Sequence, residues 1–137
     1  MIRPILLDTC AAIWISQGDD LSAPADNALI EADSTPGAIL VSPITAWEIG
    51  ILVARRRIAL SRDPTAWFHA LIGAGIELAP MPPEILVASS FLPDSALRDP
   101  ADRILAATAR AMNYRLMTRD GPLLDYAAAG HLAAIRC

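Results

Sequence analysis

The sequence predicts an α/β fold: a three-layer α/β/α sandwich around a central parallel sheet of four to five strands. Short apolar runs without polar alternation, such as residues 5–7 and 38–41, are typical of strands that are buried on both faces. Between these runs lie longer segments in which apolar residues recur at helical spacing. Strands that alternate with helices favour a parallel sheet covered by helices on both sides.

Turn and capping residues set the expected boundaries of the elements. Strands are expected at residues 4–7, 38–41, 76–79 and 114–118, with a fifth, edge strand at 133–136. Helices are expected at residues 11–16, 22–34, 43–56, 65–74, 84–91 and 100–113, and after Pro122 to about residue 129. Three helix starts place a capping side chain directly before a proline, which suits the first helical position. They are Ser42-Pro43, Asp63-Pro64 and Asp99-Pro100.

The composition predicts a single domain, residues 1–137, without a membrane segment. The chain is 54% hydrophobic, but no apolar stretch reaches the ~18 residues that a membrane span requires. No signal-peptide pattern is present, so we expect a cytoplasmic protein. A net charge of −4 does not indicate a nucleic-acid binder, and every basic residue is an arginine. The two cysteines do not make a disulfide framework; Cys10 is expected to be a small core residue and Cys137 a terminal residue without a role.

Two aspartates follow predicted strands. Asp8 comes directly after residues 5–7, and Asp120 follows the strand at 114–118. In open parallel sheets, ligands bind just beyond the carboxyl ends of the strands, so both side chains are expected at that edge. An alternative for Asp8, which the residues leave open, is that it caps the helix that follows.

Two further acids lie on apolar faces of predicted helices. At helical spacing, the neighbours of Glu48 four residues before it and three and four residues after it are aliphatic: Ile44, Ile51 and Leu52. An unpaired charge among them is costly. The alternative is an ion pair between Glu48 and Arg55. Asp102 shares a helix face with leucine and alanine rather than with the arginines. Its alternative is a capping role, which we assign instead to Asp99.

The four acids Asp8, Glu48, Asp102 and Asp120 are therefore expected to meet. Clustered carboxylates repel one another unless a cation lies among them. Oxygen ligands without a nearby histidine or cysteine cluster favour a hard divalent ion, Mg²⁺ or Mn²⁺. His69 and His131 lie outside these segments, and we expect them to be ordinary surface or packing residues.

In their order and spacing, these motifs resemble the PIN-domain family and, within it, the VapC-type toxins of bacterial toxin–antitoxin pairs. The resemblance covers nearly the whole chain. Its motifs are Leu6-Leu7-Asp8-Thr9, Ser42 with Trp47-Glu48-Ile49, residues 98–109, and Met117-Thr118-Arg119-Asp120. The family often has a histidine where this chain has Leu97, a departure that changes no carboxylate.

The resemblance implies a metal-dependent endoribonuclease that acts as the toxin of a type II toxin–antitoxin pair. It would hydrolyse RNA phosphodiesters with water activated by Mg²⁺ or Mn²⁺. The acids that match the family's catalytic, metal-holding quartet are Asp8, Glu48, Asp102 and Asp120. The residues that match small hydroxyl positions near the quartet are Thr9, Ser42 and Thr118, while Asp99 stands in the family's Arg-Asp-Pro segment.

The resemblance also implies partners: an RNA substrate, a cognate antitoxin that covers a groove between the early helices, and a second copy in a homodimer. Arg55, Arg56 and Arg57 are expected to guide the RNA backbone. Their alternative is a solvated helix end whose bases complement the helix dipole.

Three other classes of protein place acids at strand ends. A phosphoacceptor receiver domain requires a lysine, which this chain lacks. Phosphatases with an aspartate nucleophile usually have a second aspartate two residues later, where this chain has Cys10. A catalytically silent PIN-like module that binds a partner or RNA remains the alternative function.

Overall fold

A five-stranded parallel sheet forms the centre of the computed structural model, which describes residues 2–137. Its strands are β1 (Ile5–Leu7), β2 (Ile39–Val41), β3 (Glu77–Leu78), β4 (Arg115–Thr118) and β5 (Ala133–Arg136). They lie in the order β3-β2-β1-β4-β5, with every pair parallel. The predicted α/β class is confirmed, and the fifth strand is an edge strand as predicted.

Seven helices within residues 2–137 cover the sheet. They are α1 (Thr9–Gln17), α2 (Ala23–Asp33), α3 (Pro43–Ala54), α4 (Pro64–Gly73), α5 (Pro83–Ala88), α6 (Pro100–Met112) and α7 (Gly121–Ala128). Helix α1 begins two residues earlier than predicted because Asp8 caps it. Helix α5 ends at Ala88, whereas the prediction continued it to residue 91. None of the helices described between residues 2 and 137 is long and apolar enough to cross a membrane.

Consecutive residues of β1 pack into two different cores. Ile5 and Leu7 contact a core that includes Trp67 and Leu71 of α4. Leu6 belongs to a second core, which includes Leu105 of α6 and a leucine of α7. All three β1 side chains are fully buried, because side chains of a strand alternate between faces and both faces are covered. This is why the strand is apolar throughout.

The register of the central strands determines what stands at the carboxyl edge of the sheet. Leu7 is level with Val41 of β2 and with Met117 of β4. The next residue after each strand position is therefore Asp8, Ser42 or Thr118, side by side. The Asp8 backbone N–H donates to the Met117 carbonyl at 3.0 Å, which extends the pairing to this point.

The expectation for Cys10 was wrong, because Cys10 is exposed rather than part of a core. Cys137, expected to be a terminal residue without a role, is buried. Cys137 packs in the core that contains Ile5 and Leu7. Its backbone N–H donates to the Thr118 carbonyl at 3.1 Å, and its carbonyl accepts from the Arg119 guanidinium at 2.7 Å.

Candidate active site

Asp8 has a structural role and a central position at the same time. Its side chain, 6% exposed, accepts a hydrogen bond from the Ala11 backbone N–H at 2.7 Å on one oxygen. Its other oxygen accepts from the Thr118 hydroxyl at 2.5 Å. The capping alternative is thus confirmed. It does not remove Asp8 from the candidate site, because each carboxylate oxygen has two lone pairs and keeps acceptor capacity.

The Thr118 hydroxyl joins two of the four acids. It donates to Asp8 and accepts a hydrogen bond from the Asp120 backbone N–H at 3.0 Å. Asp120 in turn caps α7 by accepting from the Leu123 N–H at 3.1 Å. The ends of β1 and β4 are thereby connected through one side chain.

Glu48 is held from α1. The Thr9 hydroxyl donates to Glu48 Oε1, and Thr9 also lies 3.1 Å from the Thr45 hydroxyl. The alternative of a Glu48–Arg55 ion pair was wrong. Among residues 2–137, the ion pair that the structure contains is between His131 and Asp94, and Glu48 and Arg55 do not form one. Helix packing explains the difference, since α1 lies against the middle of α3 whereas Arg55 follows its last turn.

Asp99 stands at the N-cap position of α6, but its side chain makes no capping hydrogen bond. The capping expectation was therefore right about the position and wrong about the bond. Asp102 lies in the first turn of the same helix. Arg103 holds the segment between α5 and α6 in place, since its guanidinium donates to the Ser89 carbonyl at 2.8 Å and to the Leu97 carbonyl at 2.6 Å.

Electrostatics connect these acids into one cluster. The pKa of Asp102 is raised to about 8, first by burial and then by the charges of Asp99, Asp120, Glu48 and Asp8. Burial also raises the pKa of Asp8, against the hydrogen bonds from Thr118 and Ala11, with Asp120 adding to the rise. For Glu48, burial raises the pKa, the Thr9 bond opposes it, and Asp99 and Asp8 add repulsion. The structure thus brings Asp8, Glu48, Asp99 and Asp120 all within range of Asp102. We call these five side chains the acidic cluster.

Cys10 lies beside this cluster, which the sequence analysis missed. Partial burial and the charges of Asp8, Glu48, Asp102 and Asp120 raise the pKa of its thiol to about 11. The signal that could have placed it is its position in the first turn of α1, two residues after Asp8.

The basic residue at the acidic cluster is Arg119, to which the sequence analysis gave no role. Its charge lowers the pKa of Asp8, and its guanidinium lies 3.9 Å from the centre of the Trp14 ring. Arg55, Arg56 and Arg57 are exposed after the last turn of α3, whose end at Ala54 lies about 9 Å along the helix axis from Glu48. The structure does not bring them into the cluster, and a role in RNA binding stays a prediction.

Ser42 is buried beside Asp8 in the sheet register and caps α3. Its hydroxyl oxygen accepts from the Ile44 N–H at 3.1 Å. This capping bond satisfies the Ser42 hydroxyl oxygen as an acceptor. The position of Ser42 near the acids follows from the register of β2 with β1.

The acidic cluster offers the ligands that a hard divalent cation prefers, because its polar atoms are carboxylate oxygens. These carboxylates repel one another, and a cation would relieve the repulsion. Among residues 2–137, no three His, Cys, Asp or Glu side chains are already arranged so that they could hold one metal ion. The acids lie near one another as an open set, and side-chain rotation would have to close it.

The capping and charge roles of Asp8 can be separated by two substitutions. Asparagine caps helices as well as aspartate, so Asp8→Asn should remove the charge and keep the cap. Without metal at pH 7, we expect Asp8→Asn to be as stable as the parent or more stable, since burial and Asp120 disfavour the charge. Asp8→Ala should be about 1–2 kcal/mol less stable than Asp8→Asn. Urea unfolding in EDTA measures this, and equal losses in both variants would contradict it.

The raised pKa of Asp102 predicts how stability depends on pH. Because the folded value of about 8 lies above the ordinary value of 3.8, the native state binds more protons between them. Stability of the metal-free protein should therefore fall as the pH rises through this interval, and the loss is complete above the folded value. In Asp102→Asn, urea midpoints measured across the interval in EDTA should fall less steeply. Asp125→Asn, on the exposed face of α7, should retain the parent's slope; an unchanged slope in Asp102→Asn would refute the assignment.

Comparisons with known proteins point to one family. The PIN domain family model matches residues 5–129. Ribonuclease VapC22 of Mycobacterium tuberculosis is 32% identical over 123 residues, which cover 89% of this chain and 91% of that protein. VapBC2 from Rickettsia felis, solved bound to a promoter DNA fragment, has a TM-score of 0.69 at 14% identity and covers 96% of this chain and 97% of its own. A toxin–antitoxin complex from Klebsiella pneumoniae has a TM-score of 0.60 at 20% identity, with 94% and 95% covered.

At these identities the two solved structures show the fold alone, whereas the family model and the relative extend over most of the chain. The resemblance inferred from the motifs is confirmed. The acids at the carboxyl edge of the sheet stand within the matched region, and the chain belongs to the PIN-domain family.

Proposed function

We propose that this chain is a divalent-metal-dependent endoribonuclease of the VapC type and the toxin of a type II toxin–antitoxin pair. The observation that supports it best is the convergence of Asp8, Glu48, Asp102 and Asp120 at one edge of the sheet, where each raises the thiol pKa of Cys10. The name of the relative, a ribonuclease, supports the same activity. Divalent-metal dependence is general in this family, and Mg²⁺ or Mn²⁺ is the ion that an all-oxygen set favours.

The four acids would hold the ion, and Asp99 adds negative charge beside them. A bound divalent ion would supply positive charge that attracts and polarises a phosphate group. The residues of the chain do the positioning. Thr118 and the Ala11 N–H fix both oxygens of Asp8, and Thr9 fixes one oxygen of Glu48.

Asp102 is the acid of the cluster that we expect to carry a proton in the absence of a cation. With a pKa of about 8, it is largely protonated at neutral pH when no cation is present. A ligand must be deprotonated, so occupation of the site would release this proton. The charge of Arg119 near Asp8 reduces the repulsion that an approaching RNA backbone would meet.

The activity can be tested with one acid inside the cluster and one outside it. The purified parent should cleave RNA with Mg²⁺ or Mn²⁺ and stop in EDTA. Glu48→Gln should lower the rate at least about a hundredfold, because changes at outer-shell partners alone reduce metal affinity or activity 10–100-fold. Asp125→Asn should keep the parental rate. Cleavage by Glu48→Gln at the parental rate, or cleavage in EDTA, would refute the mechanism. No cleavage by the parent would favour the silent binding module.

A second feature fits the proposed antitoxin. A cleft of about 880 Å³ opens between α1, α2 and α4. Its wall includes Ile15, Leu29, Ile30, Leu60 and Leu71. Ile30 is 73% exposed, although it is a large aliphatic side chain. Exposed apolar surface of this kind marks interaction sites, and we propose that an apolar segment of the antitoxin covers this cleft.

The partner surface can be tested with Ile30→Asp. Expression of the parent alone should slow bacterial growth, and co-expression of the neighbouring gene's product should relieve it. Ile30→Asp should remain toxic in the presence of that product and should fail to co-purify with it, because a charge in an apolar contact is costly. Phe91, 78% exposed after α5, is the matched control on a surface that we propose for self-association. Phe91→Asp should still bind the antitoxin and should elute as a smaller species on sizing. Loss of antitoxin binding in both variants would refute the assignment of the cleft.

A further inference from the structure

We propose that Thr45 is a positioning residue for the reaction: acting through the Thr9 hydroxyl, it keeps the Glu48 carboxylate at the acidic cluster, where Glu48 would bind the metal. The inference rests on the proposed function and extends it to a residue outside the acidic cluster. The three side chains form what we call the hydroxyl relay, from Thr45 through Thr9 to Glu48.

The directions of the two hydrogen bonds follow from the number of protons. A threonine hydroxyl has one proton to donate, and an ionised carboxylate only accepts. Thr9 donates its proton to Glu48 Oε1. In the 3.1 Å contact between the two threonine hydroxyls, Thr45 must therefore be the donor. The relay has one direction, and the Thr45 hydroxyl is the group that completes the bonding of Thr9.

The hydroxyl of Thr45 is buried and therefore needs the hydrogen bond to Thr9. Thr45 is fully buried on the inner face of α3, one turn before Glu48, and Thr9 is 5% exposed at the start of α1. A buried hydroxyl needs a partner within the protein. Here the partner lies on a different helix, so the relay fixes the position of α1 relative to α3 at the level of Glu48.

Thr108 shows the ordinary alternative for a buried helical threonine. It is also fully buried, in the middle of α6, and its hydroxyl donates to the Ile104 carbonyl of its own helix at 2.7 Å. Threonines in helices commonly bond to the carbonyl one turn earlier in this way. Thr45 instead bonds between helices, and this difference points to a task beyond satisfying its own hydroxyl.

The relay holds one oxygen of Glu48, and the carboxylate would keep its other oxygen available as a ligand. A hydrogen bond received by Thr9 strengthens the bond that Thr9 donates, because hydrogen bonds in a chain polarise one another. Without Thr45, the Thr9 hydroxyl could still reach Glu48, but no hydrogen bond from Thr45 would restrain the rotation of the Thr9 side chain. The expected defect is therefore weaker binding of the ion, with little effect on the chemistry once the ion is bound.

The test compares Thr45→Val with Thr45→Ser and with the control Thr108→Val. Binding of Mn²⁺ is measured directly, by the loss of the free-ion EPR signal, and RNA cleavage is followed as a function of Mn²⁺ concentration. Thr45→Val should raise the Kd for Mn²⁺ about tenfold, the lower end of the effect of outer-shell partners. At saturating Mn²⁺ its kcat should stay within about threefold of the parent's. Thr45→Ser, which keeps the hydroxyl, should bind Mn²⁺ like the parent.

Controls separate positioning from stability. Thr108→Val should bind Mn²⁺ like the parent, whatever it does to the melting temperature. In a Glu48→Gln background, Thr45→Val should have no further effect on Mn²⁺ binding. If Thr45→Val does not fold, Thr45→Ala is measured in its place with the same expectations.

Parental Mn²⁺ affinity in Thr45→Val, or an equal loss in Thr108→Val or Thr45→Ser, would overturn the inference. If the parent binds Mn²⁺ with the expected dependence on Thr45 but leaves RNA intact, the positioning role stands and the ribonuclease proposal fails. If the parent cleaves RNA and Thr45→Val binds Mn²⁺ normally, the inference alone fails.

Discussion

Repulsion between carboxylates at the carboxyl edge of the sheet is the constraint on which the rest of the structure depends. Five acids gather there, four of them within range of Asp102, and burial disfavours the charge on three of the five. Unrestrained side chains would rotate apart into solvent. A cluster of this kind persists only where each acid is attached to a different part of a rigid scaffold.

The scaffold meets this constraint with helix starts and hydroxyls. Asp8 and Asp120 accept hydrogen bonds from the backbone N–H groups of α1 and α7, which also lie at the positive ends of the helix dipoles. Thr118 connects these two acids, and Thr9 connects Glu48 to α1. The groups that begin the helices are thus the groups that keep the charges together, so fold stability and site geometry share the same contacts.

Local sequence patterns were sufficient to predict the fold and the four acids that the structure brings near one another. Apolar runs without alternation identified strands whose two faces are covered, and proline after Ser42, Asp63 and Asp99 identified helix starts. Asp8 and Asp120 were placed at the sheet edge because they follow strands. These signals lie within a few residues of the element that they predict.

Contacts between segments that are distant in the sequence could not be predicted from these local signals. No local pattern shows that Glu48 would bond to Thr9 rather than pair with Arg55, because the choice depends on how α1 packs against α3. The same holds for Cys10, which hydropathy places in a core and the packing places beside the acids. Cys137 is buried in a core of residues from distant segments, and its carbonyl accepts a hydrogen bond from Arg119.

The three-residue length of β1 limits how this site can be redesigned. Removing or adding one residue before Asp8 would exchange the side chains that face the two cores as well as move the acid, because the strand period is two. Ile5, Leu6 and Leu7 are each fully buried, so neither exchange would be tolerated. An engineer who wishes to alter the specificity of the proposed RNA cleavage must therefore leave the strand untouched. The changes belong on helix surfaces and loops around the acids, where a substitution alters one contact at a time.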